Sequence, residues 1–290
     1  MPTYAFVTVD VFTDTRFGGN QLAVFPDARG MTDAQMQALA AEFNLSETTF
    51  VLPPSDPANT ARVRIFNRSA EMPFAGHPNV GTGWVLAQMG RAKDGVLRFE
   101  EIAGLVEVTM TQAGARIAAP QALSTGVTFT AAQMAACAGL SSDDIITTNH
   151  PPIQATVGVD FVLCEVKPEA LSRANPDAAA FRDVADTTEG FSMRLSLHLY
   201  AKQPDGTLKV RMFSPLTGTW EDAATGSANA TLAAFLLSLS DQDQGAWEVS
   251  QGVEMGRPSR LFITAQRGPD GVRATVAGGC VPVLKGEVEL

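Results

Sequence analysis

Two stretches of this chain, "VGTGWVLAQM" from Val80 to Met89 and "SANATLAAFLLSL" from Ser227 to Leu239, read as helices with no polar face. A helix at a protein surface carries a charged side opposite its apolar stripe, whereas one that is apolar or small all round is enclosed on every side. Each stretch must therefore be surrounded by other elements, so the chain has to build such an enclosure twice. The segments before them repeat as well. "RVRIFN" at 62–67 and "KVRMFS" at 209–214 share one strand-like pattern at an offset of 147, close to half of the 290 residues. Each leads through a bend into its small-residue helix. Self-similarity at a fixed offset indicates a repeated architecture, although two six-residue strands can also agree by chance.

The rest of the chain alternates in the same style. "YAFVTVDVF", "QLAVF", "TTFVLPP", "GVLRFEE", "GLVEVTM" and "GARIAAP" read as strands, the last three as an antiparallel meander. "TDAQMQALAAEFN" is a helix with Thr32 as its cap and Gln35 three residues on. In the second half "TAAQMAACAGL" and "PDAAAFRDVAD" are helical, "PIQATVGVDFVLCEV" holds two strands, and "SMRLSLHLYAK" and "TLKVRMFS" are strands. The expected fold class is α+β, with two similar lobes, each a mixed, mostly antiparallel sheet wrapped around a central buried helix. "APQALSTG" at 119–126 has the composition of a connector. It places the lobes at 1–122 and 123–290, with the last strand free to return to the first lobe.

A buried helix still presents free N–H groups at its start, and with the macrodipole these form an anion site. The first helix is preceded by "PFAGHPNVGTGW", a glycine-rich bend holding His77, and the second by "WEDAATGSANA", with Glu221 and Asp222 ahead of "ATGSA". Each bend thus carries a proton-transferring side chain just ahead of its helix, with Gly76, Gly226 and Ser227 at hand to bind a small carboxylate. A third group, Glu47 in "FNLSETTFV", has Phe43, Leu45 and Phe50 as apolar neighbours in sequence, a setting that raises a carboxyl pKa toward neutrality. Taken singly, each has a plain reading: His77 as a loop histidine, Asp222 as an acidic group at a helix start, Glu47 as an exposed turn residue.

Composition narrows the partners. The net charge of −10 argues against a nucleic-acid surface. No apolar run approaches the roughly 18 residues of a spanning helix. "MPTYAFVTVDVF" starts as a strand and lacks the pattern of a signal peptide. A soluble, cytoplasmic protein is expected. Cys137, Cys164 and Cys280 stand far apart, without metal-site spacing, and read as buried packing. His77, His150 and His198 occur singly, so no metal is expected.

"DVFTDTRFGGNQLAVF", "EFNLSETTFV", "RVRIFNRSAEMPFAGHPNVGTGWVL", "EDAATGSANA" and "QGVEMGRPSRL", in this order along almost the whole chain, resemble the PhzF-like family of phenazine-biosynthesis isomerases, related in fold to diaminopimelate epimerase. The resemblance implies an active site in a cleft between the lobes, and no cofactor or metal. It implies Glu47, His77 and Asp222 as catalytic residues, and Gly76, Thr225, Gly226 and Ser227 as substrate-binding residues. The related epimerases carry two cysteines at the helix mouths; here His77 and Asp222 stand there instead, which speaks against a two-cysteine racemase. The expected activity is a cofactor-independent isomerase moving a proton on a small carboxylate-bearing metabolite, of the trans-2,3-dihydro-3-hydroxyanthranilate type. The alternatives are an epimerase or racemase of an amino or hydroxy acid, and a non-catalytic small-molecule-binding protein of the same fold. Neither nucleic acid nor membrane is an expected partner; a homodimer is left open.

Overall fold

The computed structural model describes residues 1–189 and 195–290. The chain forms two compact units, Met1–Ala118 with Ala277–Leu290, and Ala119–Val276.

In the first unit β1 (Thr3–Val11) pairs antiparallel with β2 (Asn20–Phe25). Helix α1 (Asp33–Phe43) then carries the chain across, as a crossover must, to β3 (Glu47–Leu52), parallel to β2. Its start is the capping box read from the sequence, Thr32 with Gln35, and Asn44 ends it in the left-handed conformation. β4 (Ala61–Phe66) is antiparallel to β3, and the short β5 (Glu71–Met72) is antiparallel to β4. After α2 (Gly76–Gln88), β6 (Val96–Glu101) returns parallel to β4, and β7 (Gly104–Thr111) and β8 (Gly114–Ala118) complete the meander.

The second unit opens with β9 (Ser124–Thr128), α3 (Ala131–Ala138) and β10 (Ile153–Thr156), the two strands paired antiparallel. The order of the first unit then recurs. β11 (Asp160–Glu165) is antiparallel to β10. Helices α4 (Pro168–Leu171) and α5 (Ala178–Thr187) lead to β12 (Leu197–Lys202), parallel to β11. β13 (Leu208–Ser214) and β14 (Thr219–Asp222) are each antiparallel to their predecessor. Helix α6 (Gly226–Ser238) precedes β15 (Gln244–Gln251), parallel to β13, followed by β16 (Ser259–Gly268) and β17 (Gly271–Gly278), with β16 antiparallel to β15. The duplication read from six residues is thus present in the sense of six successive strand pairings and in two helices of 13 residues each. The closing strand β18 (Cys280–Glu289) belongs to the first unit and lies antiparallel on β1. Within the expected "SMRLSLHLYAK" strand, Ser192–Arg194 lie outside the described residues.

The two central helices are enclosed as their composition demands. Helix α2 packs on β1, β2, β3, β7 and β8; α6 packs on β10, β11, β15 and β16. The opposite sheet face of the first unit is covered by α1, over Phe25, Phe50 and Phe66. In the second unit α3, α4 and α5 cover Leu197, Leu199 and Phe213, with Cys137 and Cys164 in that core. All three cysteines are buried and free. Among the described residues no helix is long and apolar enough to cross a membrane.

The small residues of α2 allow close approach to its sheet. A Cβ on Gly83 would lie 2.5 Å from Cγ1 of the β-branched Val108. In an ordinary helix interior, Gly→Ala stabilises by about 1 kcal/mol. Here overpacking, typically about 1–3 kcal/mol, opposes it, and Gly83→Ala is expected to lower the melting temperature. An unchanged or higher value would show that Val108 moves aside.

One ion pair is repeated too. Arg64 donates from Nε and Nη2 to Glu71 at 2.7 and 2.6 Å, with its guanidinium 5.1 Å from the Phe66 ring centre. Arg211 does the same to Glu221, at 2.7 Å twice, and lies 4.9 Å from Phe213. Glu221, read from sequence as lying at the helix mouth beside Asp222, is therefore held in the scaffold.

Candidate active site

Helix α2 begins at Gly76, four residues before the stretch from Val80 that reads as helical in sequence, with Ala75 extended ahead of it. Pro78 fits because a first-turn residue has no intrahelical acceptor for its N–H. His77 is thus inside the first turn of the helix rather than ahead of it. Its Nε2 lies 3.2 Å from Oε2 of Glu47, both side chains being largely buried. Glu47 is the first residue of β3, where the chain emerges from the left-handed turn at Asn44. On the other side of the ring, Asn20 Nδ2 is 3.4 Å from His77 Nδ1, and Ser46 Oγ donates to Asn20 Oδ1 at 3.2 Å. Burial holds the His77 imidazole down at about 3, against a weaker upward pull from the Gln21 backbone. The distance is that of an ion pair, but the buried ring is neutral near pH 7.

The apolar setting expected for Glu47 differs in one respect. Side chains alternate along a strand, so Glu47 shares its face with Thr49, whose hydroxyl is 2.8 Å from that of Thr82 on α2. Phe50 points the other way, into the core under α1, where Phe43 also packs.

In the second unit Asp222 is the last residue of β14, and Thr225 Oγ1 donates to its Oδ2 at 2.7 Å. Thr225 immediately precedes α6 without capping it through its side chain, Gly226 opens it, and Ser227 is half-buried in its first turn. The bend is tied down by Gln251, which is wholly buried. Gln251 Oε1 accepts from Thr225 N and Asn229 Nδ2 at 3.1 and 2.8 Å, and its Nε2 donates to Asp222 O and Thr225 Oγ1 at 2.9 and 3.0 Å.

The internal repeat shows which positions correspond. His77 and Ser227 are each the second residue of their helix. Asp222 pairs with Met212 as Met72 pairs with Ile65. Thr48 pairs with Phe66 as Leu197 does with Phe213, so the counterpart of Glu47 is Ser196. His77 and Asp222 are therefore not matching helix-mouth residues, as the sequence reading had them: Asp222 belongs to the strand before its bend, and its counterpart is Met72. The repeat supplies one scaffold twice, and the chemistry differs between the copies. Asn20, Ser46, Asn79 and Gln251 were not singled out from the sequence. The available signal was an asparagine at the fourth place of both apolar helices, Asn79 and Asn229, each donating to the carbonyl four residues back.

His198, on β12, is fully buried, and burial holds it down at about 3 from its ordinary 6.5, against a weaker pull from Asn229. The unfolded chain therefore binds this proton more readily. The contribution of His198 to stability is complete above pH 6.5 and is lost as pH falls from there toward 3. The melting temperature of His198→Gln is expected to fall less steeply over that window than that of the parent. Parallel curves would remove His198 from the acid response.

Residues 9–286 match the family model of the phenazine biosynthesis-like proteins, PhzC-PhzF. The chain belongs to this family. It is 36% identical to an uncharacterized isomerase of Mesorhizobium japonicum, with 99% of each chain covered. It is 34% identical to the trans-2,3-dihydro-3-hydroxyanthranilate isomerase of Pseudomonas aeruginosa, with 95% of each covered. The crystal structure of a PhzF-family phenazine biosynthesis protein from Bacillus anthracis superposes over 100% of both chains with a TM-score of 0.88 at 24% identity, which bears on the fold. Family membership makes the chain an enzyme of the isomerase class. Within the family fold, Glu47 with His77 and Asp222 with Thr225 place a carboxyl group at each of the two helix starts. Among the described residues no three His, Cys, Asp or Glu side chains gather as a metal-ligand set.

Proposed function

We propose that the protein is a cofactor-independent isomerase that moves a proton on a small carboxylate of the trans-2,3-dihydro-3-hydroxyanthranilate type, with Glu47 as general acid and base. The observation that supports this most is the 3.2 Å approach of Glu47 Oε2 to the neutral His77 Nε2 at the start of a buried helix. In this reading Glu47 takes a proton from an acidified substrate carbon and returns it to another carbon of the same conjugated system, so no redox partner enters. His77 fixes the carboxyl and steadies whichever form lacks the proton. Asp222 assists proton transfer or orients the substrate. The first-turn N–H groups of Gly226 and Ser227 and the Ser227 hydroxyl bind the substrate carboxylate, as helix starts bind anions. Gly76 contributes the N–H that opens α2, and Thr225 holds Asp222. The same reading places the enzyme in the cytoplasm.

The test is deuterium incorporation. The protein is incubated in heavy water with trans-2,3-dihydro-3-hydroxyanthranilate, and with a panel of amino and hydroxy acids, and followed by NMR. Deuterium on a new carbon with a shifted double bond supports the isomerase. A product differing only in configuration would make it an epimerase. Binding by thermal shift with no exchange in any compound would leave a binding protein.

A further inference from the structure

The repeat reaches one residue to which the reading above gives no task. Arg62 pairs with Glu100 between β4 and β6 as Lys209 pairs with Ser250 between β13 and β15. The next residues, Glu101 and Gln251, therefore correspond. Gln251 works in two directions: its oxygen accepts from the cap N–H and Asn229, and its nitrogen donates to the Asp222 carbonyl and the Thr225 hydroxyl. An ionised glutamate could only accept; a protonated one can also donate.

Both carboxyl oxygens of Glu101 are buried and lack a hydrogen-bond partner, as does Oδ1 of Asn79. Asn79, the counterpart of Asn229, spends Nδ2 on the Ala75 carbonyl at 3.1 Å. A buried carboxylate in such surroundings takes up a proton rather than remain charged and unsolvated. The charged groups on neighbouring elements are otherwise engaged. Glu71 on β5 is held by Arg64 on β4. Glu100, next on the same strand, accepts from Ser55, Asp56 and Asn59. Arg62 on β4 is exposed, and Glu47 on β3 faces His77 on α2. Burial pushes the Glu101 carboxyl up to about 8, with Asn79 pulling weakly the other way.

We infer that Glu101 is a positioning residue: as a neutral carboxylic acid it bridges Asn79 and the strand end at Met72, as Gln251 bridges Asn229 and Asp222, and so sets where His77 meets Glu47. Its effect on turnover rests on the proposed function; its protonation and its hold on the helix start do not.

The first arm therefore uses no substrate. Amide and ring resonances of Gly76, His77 and Asn79 are followed by NMR against pH in the full chain and in Glu101→Gln and Glu101→Ala. In the parent they are expected to move together with an inflection near pH 8. In Glu101→Gln they should hold the parent's neutral-pH positions with no inflection, and in Glu101→Ala they should be displaced throughout. An inflection surviving in Glu101→Gln, or a Glu101 carboxyl that titrates at its ordinary 4.5, would overturn the inference. If Glu101→Ala does not fold, Glu101→Gln decides the matter alone. The second arm is the exchange assay: Glu101→Gln should retain the parent rate, and Glu101→Ala should lose roughly ten- to a hundredfold, as misplacement by about 1 Å does, with KM little changed. Full exchange by Glu101→Ala with displaced resonances would deny it any positioning role. Absence of exchange in the parent as well would count against the proposed function and leave the first arm standing.

Discussion

Glu47→Gln is expected to lower the rate of proton exchange by about 10²–10⁴, or on the order of 3–5 kcal/mol of transition-state stabilisation, with folding and ligand affinity nearly unchanged. The amide keeps the size of the side chain and can face His77, and the backbone pairing of this position with Leu22 does not depend on it. What it lacks is a site that takes a proton from carbon and releases it again. Binding measured by thermal shift and exchange measured by NMR separate the two effects. If Glu47→Gln exchanges as fast as the parent while His77→Ala abolishes exchange, the imidazole is the base and Glu47 only orients it.

The second large effect is on stability. Glu221→Ala is expected to destabilise the fold by about 3–5 kcal/mol, the usual result of leaving one member of a buried pair without the other. The side chains of Arg211 and Glu221 are only 7% and 10% exposed, and Arg211 Nη1 also donates to the Leu171 and Ala174 carbonyls. Its charge cannot reach water without dragging the end of α4 with it. The repeated pair supplies the control. Arg64 and Glu71 are 12% and 24% exposed, and Arg64 has a further partner in Asp33 on α1, so Glu71→Ala should cost about 1 kcal/mol. Denaturant midpoints of the two variants measure the difference; equal losses would mean that burial does not decide the strength of these pairs.

Much of the fold was legible because its strongest signals are local and doubled. Helices without a polar face can only be central, and the "RVRIFN" and "KVRMFS" strands lead into them at nearly the same spacing. The starts of these helices were less legible. Pro78 is excluded from a helix interior but fits a first turn, so the sequence pattern does not fix whether α2 starts before or after it, and His77 was read outside the helix. Strands β5 and β14 are too short to show a period, so Asp222 was read as part of a bend. At the site, Glu47 was singled out both by its apolar neighbours in sequence and by resemblance, but the first reason does not hold for the flanking phenylalanines, since Phe43 and Phe50 pack on the opposite face of β3. Gln251 and Glu101 carry no motif at all. Their positions are fixed by register with strands far away in the chain, which periodicity cannot report.

Strand β18 has a consequence for the order in which this protein comes into being. It covers β1 from Cys280 to Glu289, and the Leu290 N–H reaches the Pro2 carbonyl at 3.0 Å. During synthesis β1 emerges before the second unit, yet its neighbour on that side is made after it. All the strands described for the second unit are out of the ribosome before β18 follows. The half of the molecule that carries Glu47 and His77 therefore waits, with one edge of β1 open to other strands, until β18 arrives. A chain truncated before Cys280 has the strands of its second unit and lacks the strand that covers β1.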